Sequence, residues 1–480
     1  MSLARHSTIY LAWRLLSAAL GLLSLFAFTH VLSPEDYGRY SVVVAMAGFI
    51  SGVGFQWLRQ CLVKFGPDPK WDRGELLGSI GALFLSVSIV LFIVAIILAS
   101  SRDDMNRNIS AALIAVTVAL ALAQAWFEFG LDANRVDMNP MRYGVGGVLR
   151  AAFCLAFGVL AAWGTHSLSA VILGVALGYL VANLLTAPRW LDRLVGVRRA
   201  TLAQAKILAT YGLPLALTLG FTFIVDSADR LMLAAMSGAT EAGIYSSAYN
   251  LGQYAIGSVL AGLGLAAFPL AMKHYAKQDS GKVAVLLGQN LVLLVGVALP
   301  ATLGVIILAP TLTRLLLGNF TPGESPVITG IVAVGVALAA IRSYAYDVVF
   351  MLEMKTLLQA GILALAASVN ILFNWVFIPR WGAVGAACAT LVSFLLALSL
   401  SAFLGRRLIK VHFELADVIK IIAGGAIMAA VLVAVPTHHT WWSLVLLISL
   451  GASVYLCSML VLNPLSIRAR IHERLGRKIL

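Results

Sequence analysis

Long apolar stretches separated by short polar segments fill the chain from Ile9 to Leu462. A helix needs about 20 mainly apolar residues to cross the hydrocarbon core of a bilayer, and about fourteen stretches approach that length. We predict a membrane-spanning helix in each of them: 9–32, 40–58, 76–99, 109–130, 143–163, 168–187, 208–236, 243–268, 283–308, 326–351, 356–378, 383–404, 416–435 and 441–462. The pattern therefore predicts an all-α polytopic membrane protein.

The composition leaves little room for a soluble domain. Of the 480 residues, 61% are hydrophobic and 11% are charged, whereas about a quarter of the residues of a typical soluble domain are charged. The spans and the short segments between them account for nearly the whole length. Any function must therefore reside within the helix bundle.

Basic residues alternate between the two ends of the predicted spans. One set of segments carries Arg5, Arg59, Lys64, Lys70, Arg73, Arg135, Arg142, Arg189, Arg193, Arg198, Arg199, Lys206, Lys273, Lys277, Lys282, Lys355, Arg406, Arg407, Lys410, Arg468, Arg470, Arg474, Arg477 and Lys478. The opposite set carries only Arg39, Arg102, Arg107, Arg314 and Arg380. Because cytoplasmic loops are enriched in Lys and Arg, the alternation predicts an even number of spans with both termini in the cytoplasm. The net charge of +13 is scattered over these loops rather than gathered on one face, so we do not expect nucleic acid as a partner.

A short motif recurs after the first and the seventh span. The segments Asp36-Tyr37-Gly38-Arg39-Tyr40-Ser41 and Glu241-Ala242-Gly243-Ile244-Tyr245-Ser246 share the pattern acid-x-Gly-x-Tyr-Ser. We expect each copy to mark an outer turn in which the glycine adopts a positive φ. An offset of six helices is common in transporters built from duplicated bundles. We therefore predict two six-helix bundles around a central cavity, residues 1–200 and 201–405, followed by helices 13–14 and a basic cytoplasmic tail in residues 406–480.

The sequence carries no enzyme or metal-binding motif. It lacks an H-x-x-x-H pair, a nucleophile elbow and a Walker-type Gly-Lys-Ser/Thr segment. Its four cysteines, Cys61, Cys154, Cys388 and Cys457, lie far apart and have no metal-type spacing. We therefore expect neither enzymatic activity nor a cofactor nor a metal site.

Charged residues inside the predicted spans are the strongest functional candidates, because an ionisable group at membrane depth usually faces a partner or an aqueous cavity. Arg14, Arg150, Arg230 and Arg342 lie in spans 1, 5, 7 and 10 and so come from both predicted bundles. If the bundles gather them around a midline, they form a cationic cleft. Guanidinium groups match phosphate oxygens bidentately, so such a cleft suits a phosphorylated ligand.

Structural roles remain open for several of these charges. Arg14 is close enough to the cytoplasmic end of its span to snorkel to the lipid headgroups. Asp226 and Arg230 are four residues apart and can pair on one helical face. Asp347 follows Arg342 by five residues, which places it off the same face of an α-helix.

The ion-pair partner of Glu128, near the inner end of the fourth span, also stays open. It can pair with either Arg135 or Arg150, and the sequence does not decide between them. Arg150 has no acidic neighbour in sequence, which favours a position at a cavity.

Three segments at helix ends form recognisable motifs. They are Leu32-Ser33-Pro34-Glu35-Asp36-Tyr37-Gly38-Arg39-Tyr40; Tyr211-Gly212-Leu213-Pro214 followed by Asp229-Arg230 and Gly243-Ile244-Tyr245; and Asn370-Ile371-Leu372-Phe373-Asn374 continued by Ile378-Pro379-Arg380-Trp381-Gly382-Ala383-Val384-Gly385-Ala386-Ala387. In these segments the chain resembles the bacterial polysaccharide biosynthesis flippases of the multidrug/oligosaccharidyl-lipid/polysaccharide exporter superfamily. The resemblance extends over helices 1–12, and its motifs are structural turns rather than chemical signatures.

The resemblance implies a transporter of the bacterial cell inner membrane. It implies a flippase that moves undecaprenyl-pyrophosphate-linked oligosaccharide from the cytoplasmic to the outer leaflet by alternating access, for lipopolysaccharide O-antigen, capsule or exopolysaccharide synthesis. The lipid-linked oligosaccharide and the bilayer are then its partners, together with the polymerase and chain-length proteins of the same pathway. On this hypothesis Arg14, Arg150, Arg230 and Arg342 contact pyrophosphate, and Asp226, Asp229, Tyr344 and Tyr346 act in gating or sugar contact.

Three other functions compete with this hypothesis. A lipid II flippase has the same number of helices and a cationic cavity. A cation-coupled drug antiporter commonly carries an acidic residue in helix 1, where this chain has Arg14 and no acid. A polysaccharide polymerase, ligase or glycosyltransferase tends to need a sizeable outer loop, whereas no outer segment here exceeds about 17 residues.

Overall fold

The computed structural model describes residues 3–68, 70–100, 111–137, 139–188, 200–275, 279–320, 323–466 and 468, and these residues form helices without a strand. The helices are α1 (Leu3–Val31), α2 (Pro34–Phe65), α3 (Arg73–Ser100), α4 (Ala111–Val136), α5 (Pro140–Thr165), α6 (Leu168–Thr186), α7 (Leu202–Met236), α8 (Ala239–Tyr275), α9 (Ser280–Leu317), α10 (Ser325–Ile341), α11 (Asp347–Leu352), α12 (Thr356–Leu408), α13 (Leu415–Ala434) and α14 (Trp441–Leu462). A π-helical turn, Arg342–Tyr346, joins α10 to α11.

The helices correspond to the predicted spans. Among the described residues, ten helices meet a length and apolarity criterion for crossing a membrane, with α10 and α11 counted together as Ser325–Leu352. The other long helices are α1, α7 and α8, and α7 carries Asp226, Asp229 and Arg230 within its length. The predicted all-α, multi-pass architecture is therefore confirmed.

The eleventh and twelfth predicted spans form one hairpin inside α12. The backbone leaves the helical region at Gly382, with φ 51° and ψ −131°. The Nδ2 atom of Asn370 lies 3.4 Å from the hydroxyl oxygen of Thr390, so the two halves lie side by side. A positive φ is readily adopted by glycine, which explains why the chain reverses at this residue.

Local capping explains where two of the helices begin. Ser33 precedes Pro34 at the start of α2, and its hydroxyl accepts a hydrogen bond from the Asp36 backbone N–H. Asn139 precedes Pro140 at the start of α5, and its side chain accepts one from the Arg142 N–H. A polar cap followed by proline satisfies a free N–H group and presets the helical φ.

The chain divides into two compact units, Met1–Gly243 and Ile244–Leu480. In the first unit, α5 packs against α1, α4 and α6, and α7 packs against α2 and α3. One apolar cluster of this unit includes Phe55, Leu58 and Phe129. In the second unit, α9 packs against α10 and α13, and α10 packs against α12. The first unit includes α7, and the three-part division at residues 200 and 405 stays a prediction.

The glycines of the repeated motif have a different role from the one expected. Gly38 and Gly243 lie within α2 and α8, and neither is among the positive-φ glycines Gly238, Gly318 and Gly382. A Cβ atom on Gly38 would overlap the carbonyl oxygen of Ala239, and one on Gly243 would overlap that of Pro34. Each such Cβ would also lie 2.9 Å from the other glycine's backbone nitrogen. The prediction of left-handed turns was therefore wrong: glycine is required because two helix starts meet backbone to backbone.

We predict that Gly38→Ala and Gly243→Ala each destabilise the protein. The added methyl group meets backbone atoms, which cannot rotate away, and overpacking of this kind costs about 1–3 kcal/mol or more. Thermal unfolding in detergent micelles measures the effect. The matched control is Gly164→Ala on α5, where an added Cβ has no neighbour within 4 Å. Equal unfolding temperatures for all three variants would show that the glycine contact is not required.

Candidate functional site

The acidic side chains near the C-terminal end of α4 pair with an arginine of α2. The guanidinium of Arg59 lies 3.0 Å from a carboxylate oxygen of Glu128 and 2.8 Å from one of Asp132. Arg135 lies 3.9 Å from the other oxygen of Asp132. The expectation that Glu128 pairs with Arg135 or Arg150 was wrong, because α2 packs against α4 and presents Arg59 there. This partner is distant in sequence and could not be found from local spacing.

Arg150 has a different environment. Its Nη1 atom donates a hydrogen bond to the Tyr179 hydroxyl at 3.2 Å. Its Cζ atom lies 5.9 Å from the ring centre of Phe127 and 5.5 Å from that of Tyr179. Within the described part of the chain, no carboxylate lies within the 4.0 Å ion-pair distance of Arg150. The half-buried guanidinium is therefore held by a neutral hydroxyl group and two aromatic rings.

The three side chains lie at similar depths. At 1.5 Å per residue, Arg150 is about 15 Å from the start of α5, Phe127 about 14 Å from the end of α4, and Tyr179 about 10 Å from the end of α6. These helix ends lie on one side because α4 leads into α5, and α5 packs antiparallel to α6. The cluster therefore lies within the apolar part of the helices. The role of Arg150 stays a prediction. Tyr179 was not predicted to lie beside it, although this tyrosine interrupts the otherwise apolar segment Val175-Ala176-Leu177-Gly178-Tyr179-Leu180-Val181.

Helix α7 carries the next group of predicted site residues. Asp229 is fully buried, and its Oδ1 atom accepts a hydrogen bond from the Arg230 backbone N–H at 2.7 Å. Asp226 is exposed and Arg230 is half-buried. The pairing of Asp226 with Arg230 stays a prediction, as do the roles of these three residues.

Arg342 and Asp347 form an ion pair in the second unit. The Nε atom of Arg342 lies 3.7 Å from Oδ2 of Asp347, and both side chains are buried. In an α-helix, residues five apart point about 140° away from each other. Here the intervening turn is π-helical, and the Asp347 N–H donates to the Arg342 carbonyl. The expectation that Asp347 lies off the face of Arg342 was wrong, because an i→i+5 turn brings these positions together.

Neighbouring helices hold the π-helical turn. The Asn290 side chain on α9 donates a hydrogen bond to the Tyr344 carbonyl oxygen at 2.8 Å. The Ser401 hydroxyl on α12 donates to Oδ1 of Asp347 at 3.2 Å. Of the two predicted tyrosines, Tyr344 is half-buried and Tyr346 is buried. Their assignment to gating or sugar contact stays a prediction.

The gathering of the four predicted arginines into one cationic cleft stays a prediction. Arg14 lies on α1, which packs against α5, but its side chain is outside the described residues. Arg150 and Arg230 lie in the first unit, and Arg342 lies in the second. The part of the chain that the structure describes contains no group of three or more His, Cys, Asp or Glu side chains that could hold a metal ion.

Sequence and structure comparisons identify the family. A family model described as "polysaccharide biosynthesis protein" matches residues 3–274, more than half of the sequence. The chain belongs to the polysaccharide biosynthesis protein family. A comparison with curated protein sequences finds no match.

Solved structures share the fold of this polysaccharide biosynthesis protein. The lipid II flippase MurJ, in an inward closed conformation, has a TM-score of 0.74 at 14% identity, and the match covers 95% of this chain and 99% of MurJ. An inward-facing multidrug resistance MATE transporter has a TM-score of 0.61 at 14% identity, covering 84% and 97%. A MOP superfamily transporter from Pyrococcus furiosus has a TM-score of 0.54 at 14% identity, and the match covers 84% of this chain and 95% of that transporter. The predicted family is therefore confirmed, and the chain shares the fold of these structures.

For this polysaccharide biosynthesis protein we predict that Arg342 and Asp347 stabilise the fold as a pair. Asp347→Ala leaves a buried guanidinium without its carboxylate, which costs about 3–5 kcal/mol. The double variant Arg342→Met with Asp347→Leu removes both charges. We therefore expect its free energy of unfolding to fall less than that of Asp347→Ala. Thermal unfolding in detergent micelles tests this.

The exposed pair of Glu35 and Arg39, whose side chains are each 53% exposed, supplies the control. We expect Glu35→Ala to change the free energy of unfolding by no more than about 1 kcal/mol. The two single variants Arg342→Met and Asp347→Leu complete the comparison. If the destabilisation of the double variant equals the sum of theirs, the two residues are not a coupled pair.

Proposed function

We propose that this protein is a flippase for undecaprenyl-pyrophosphate-linked oligosaccharide, which it moves from the cytoplasmic to the outer leaflet by alternating access. The family match over residues 3–274 is the observation that carries this proposal. The fold shared with a lipid II flippase over 95% of the chain supports it. Such a substrate combines a diphosphate, a sugar chain and a polyprenyl tail, and the protein must accommodate all three.

The diphosphate needs cationic contacts at membrane depth, and Arg150 is the best candidate among the described residues. Arg59 already has two carboxylates and Arg342 has one. Arg150 instead contacts the Tyr179 hydroxyl group and the rings of Tyr179 and Phe127. A guanidinium that lacks a carboxylate partner keeps its charge and most of its donors for an anionic ligand. Arg14, Arg230 and Arg342 remain further candidates for the same contact.

Short helix connections favour transport over glycan synthesis. Only residues 32–33, 166–167 and 237–238 separate α1 from α2, α5 from α6, and α7 from α8. In the topology that we propose, with both termini in the cytoplasm, these are outer connections. A polymerase or ligase needs outer chain to build a catalytic site, and these connections provide very little. The protein is therefore proposed not to be an enzyme.

A lipid II flippase is the second candidate, favoured by the TM-score of 0.74 with MurJ. Both substrates carry a diphosphate and a polyprenyl tail, so Arg150 would serve either. A drug antiporter agrees less well, because the predicted first span carries no acidic residue. We place the protein in the bacterial inner membrane and propose the polymerase and chain-length proteins of the same pathway as partners.

Deletion of the gene in its native host tests the proposal. We expect loss of a surface polysaccharide, with undecaprenyl-linked intermediates retained in the cytoplasmic leaflet. Intermediates that already face outward would indicate a defect in polymerisation. Lethality with trapped lipid II would favour the second candidate, and an unchanged glycan profile would contradict both flippase functions.

We predict that Arg150→Ala lowers polysaccharide export in the deletion strain when expressed at the wild-type level. Losing a charge-assisted contact to phosphate corresponds to about a ten- to hundred-fold drop in transport rate. Arg150→Lys should retain part of the activity, because it keeps the charge but not the planar fork. The control is Arg39→Ala, which removes an exposed i,i+4 ion pair. Full export by Arg150→Ala would exclude Arg150 from substrate binding.

A further inference from the structure

The hydroxyl group of Tyr179 accepts a hydrogen bond from Arg150 and can also donate one. A guanidinium carries donors and no acceptor, so the Tyr179 oxygen must be the acceptor in the 3.2 Å hydrogen bond. The hydroxyl proton therefore points elsewhere. Within the described residues, no acceptor lies in hydrogen-bonding range of that proton. A donor in an apolar helix environment without an acceptor is costly, and a ligand oxygen would remove that cost.

Phe127 fixes both side chains. Its ring meets the Tyr179 ring edge to face, with centroids 5.6 Å apart and an interplanar angle of 73°. The Arg150 guanidinium lies 5.9 Å from the Phe127 ring centre, at the outer range of a cation–π contact. The tyrosine ring and the guanidinium therefore share one apolar support. The hydroxyl and the remaining guanidinium donors are held side by side.

The nearest carboxylate on this part of α4 is already engaged. Glu128 follows Phe127 directly, but its side chain pairs with Arg59 at 3.0 Å. Arg59 is also 2.8 Å from Asp132, so the pair belongs to a separate network. The positive charge of Arg150 is therefore not cancelled by direct contact within the described structure. It can attract an anion.

We propose that Tyr179 is a ligand-binding residue of a phosphoryl site, in which its O–H and the Arg150 guanidinium donate to the same phosphoryl group. The depth of about 10–15 Å along the helices fits a phosphoryl group that is carried on a membrane lipid. The inference deepens the proposed function, since a polyprenyl diphosphate supplies such a group. A bilayer phospholipid headgroup has the same chemistry and is the other source to be tested.

Binding of farnesyl diphosphate to the full-length protein in phosphatidylcholine nanodiscs tests the site. We expect Tyr179→Phe, which removes the hydroxyl and keeps the ring, to weaken binding about ten-fold, the effect of one hydrogen bond to a charged group. Arg150→Gln should weaken it further. Farnesol, which lacks phosphate, should bind equally to all variants, a result that a loss of packing alone would not give.

The matched control is Tyr455→Phe. This variant also removes a tyrosine hydroxyl, which donates to the Gly296 carbonyl in the second unit. We expect it to bind farnesyl diphosphate like the wild type. Wild-type affinity in Tyr179→Phe, together with loss in Arg150→Gln, would overturn the role of Tyr179. Equal losses in Tyr179→Phe and Tyr455→Phe would also overturn it, because the effect would then be general.

Nanodiscs that contain phosphatidylglycerol separate the two sources of the phosphoryl group. If this lipid does not displace farnesyl diphosphate, the site selects the diphosphate and the link to flipping is supported. If it competes fully, the link is overturned and the site is one for phospholipid headgroups. These outcomes are distinct from those of the gene deletion, which tests the transported substrate whether or not Tyr179 contacts it.

Discussion

A charge buried between packed helices must have a partner, and this constraint organises the polar side chains of the protein. Moving an ion from water into an apolar region costs several kcal/mol even after relaxation, so each buried arginine needs compensation. Arg59 obtains it from two carboxylates on α4, and Arg342 from Asp347 through a π-helical turn. Arg150 obtains only a hydroxyl group and two ring faces. Arg150 is therefore the position that we propose for an anionic ligand.

Close backbone approach is the second organising feature. Lipid tails are as apolar as leucine side chains, so helices in a membrane associate through tight packing rather than through hydrophobic burial. Gly38 and Gly243 show this directly, because two helix starts meet where neither residue has a side chain. The repeated motif is thus the mark of a contact between its two copies. The two copies, which the sequence pattern predicts as separate turns, contact each other at Gly38 and Gly243.

The sequence predicted the fold well because its signals are local. Apolar length placed the spans, and Gly382 lies in the predicted gap between the eleventh and twelfth of them. Side-chain partners were harder to predict. Glu128 binds Arg59, which lies on another helix, and local spacing cannot show helix neighbours. Asp347 was placed on the wrong face because the prediction assumed α-helical geometry, whereas the turn after Ile341 is π-helical. Tyr179 was missed because a single tyrosine in an apolar helix is equally compatible with packing.

These pairings change how in-span arginines should be counted. Arg342 is poorly hydrogen-bonded to its partner: its Nε lies 3.7 Å from the Asp347 carboxylate and has no hydrogen bond among the described residues. An anionic ligand at Arg342 would share the guanidinium with the Asp347 carboxylate. At Arg150 no carboxylate has to be displaced. Because binding energy is reduced by every interaction that must first be broken, we propose Arg150 ahead of Arg342 as the contact for a phosphoryl group. The number of arginines in the spans therefore overstates the strength of a cationic cleft, which depends on the carboxylates within reach of each arginine.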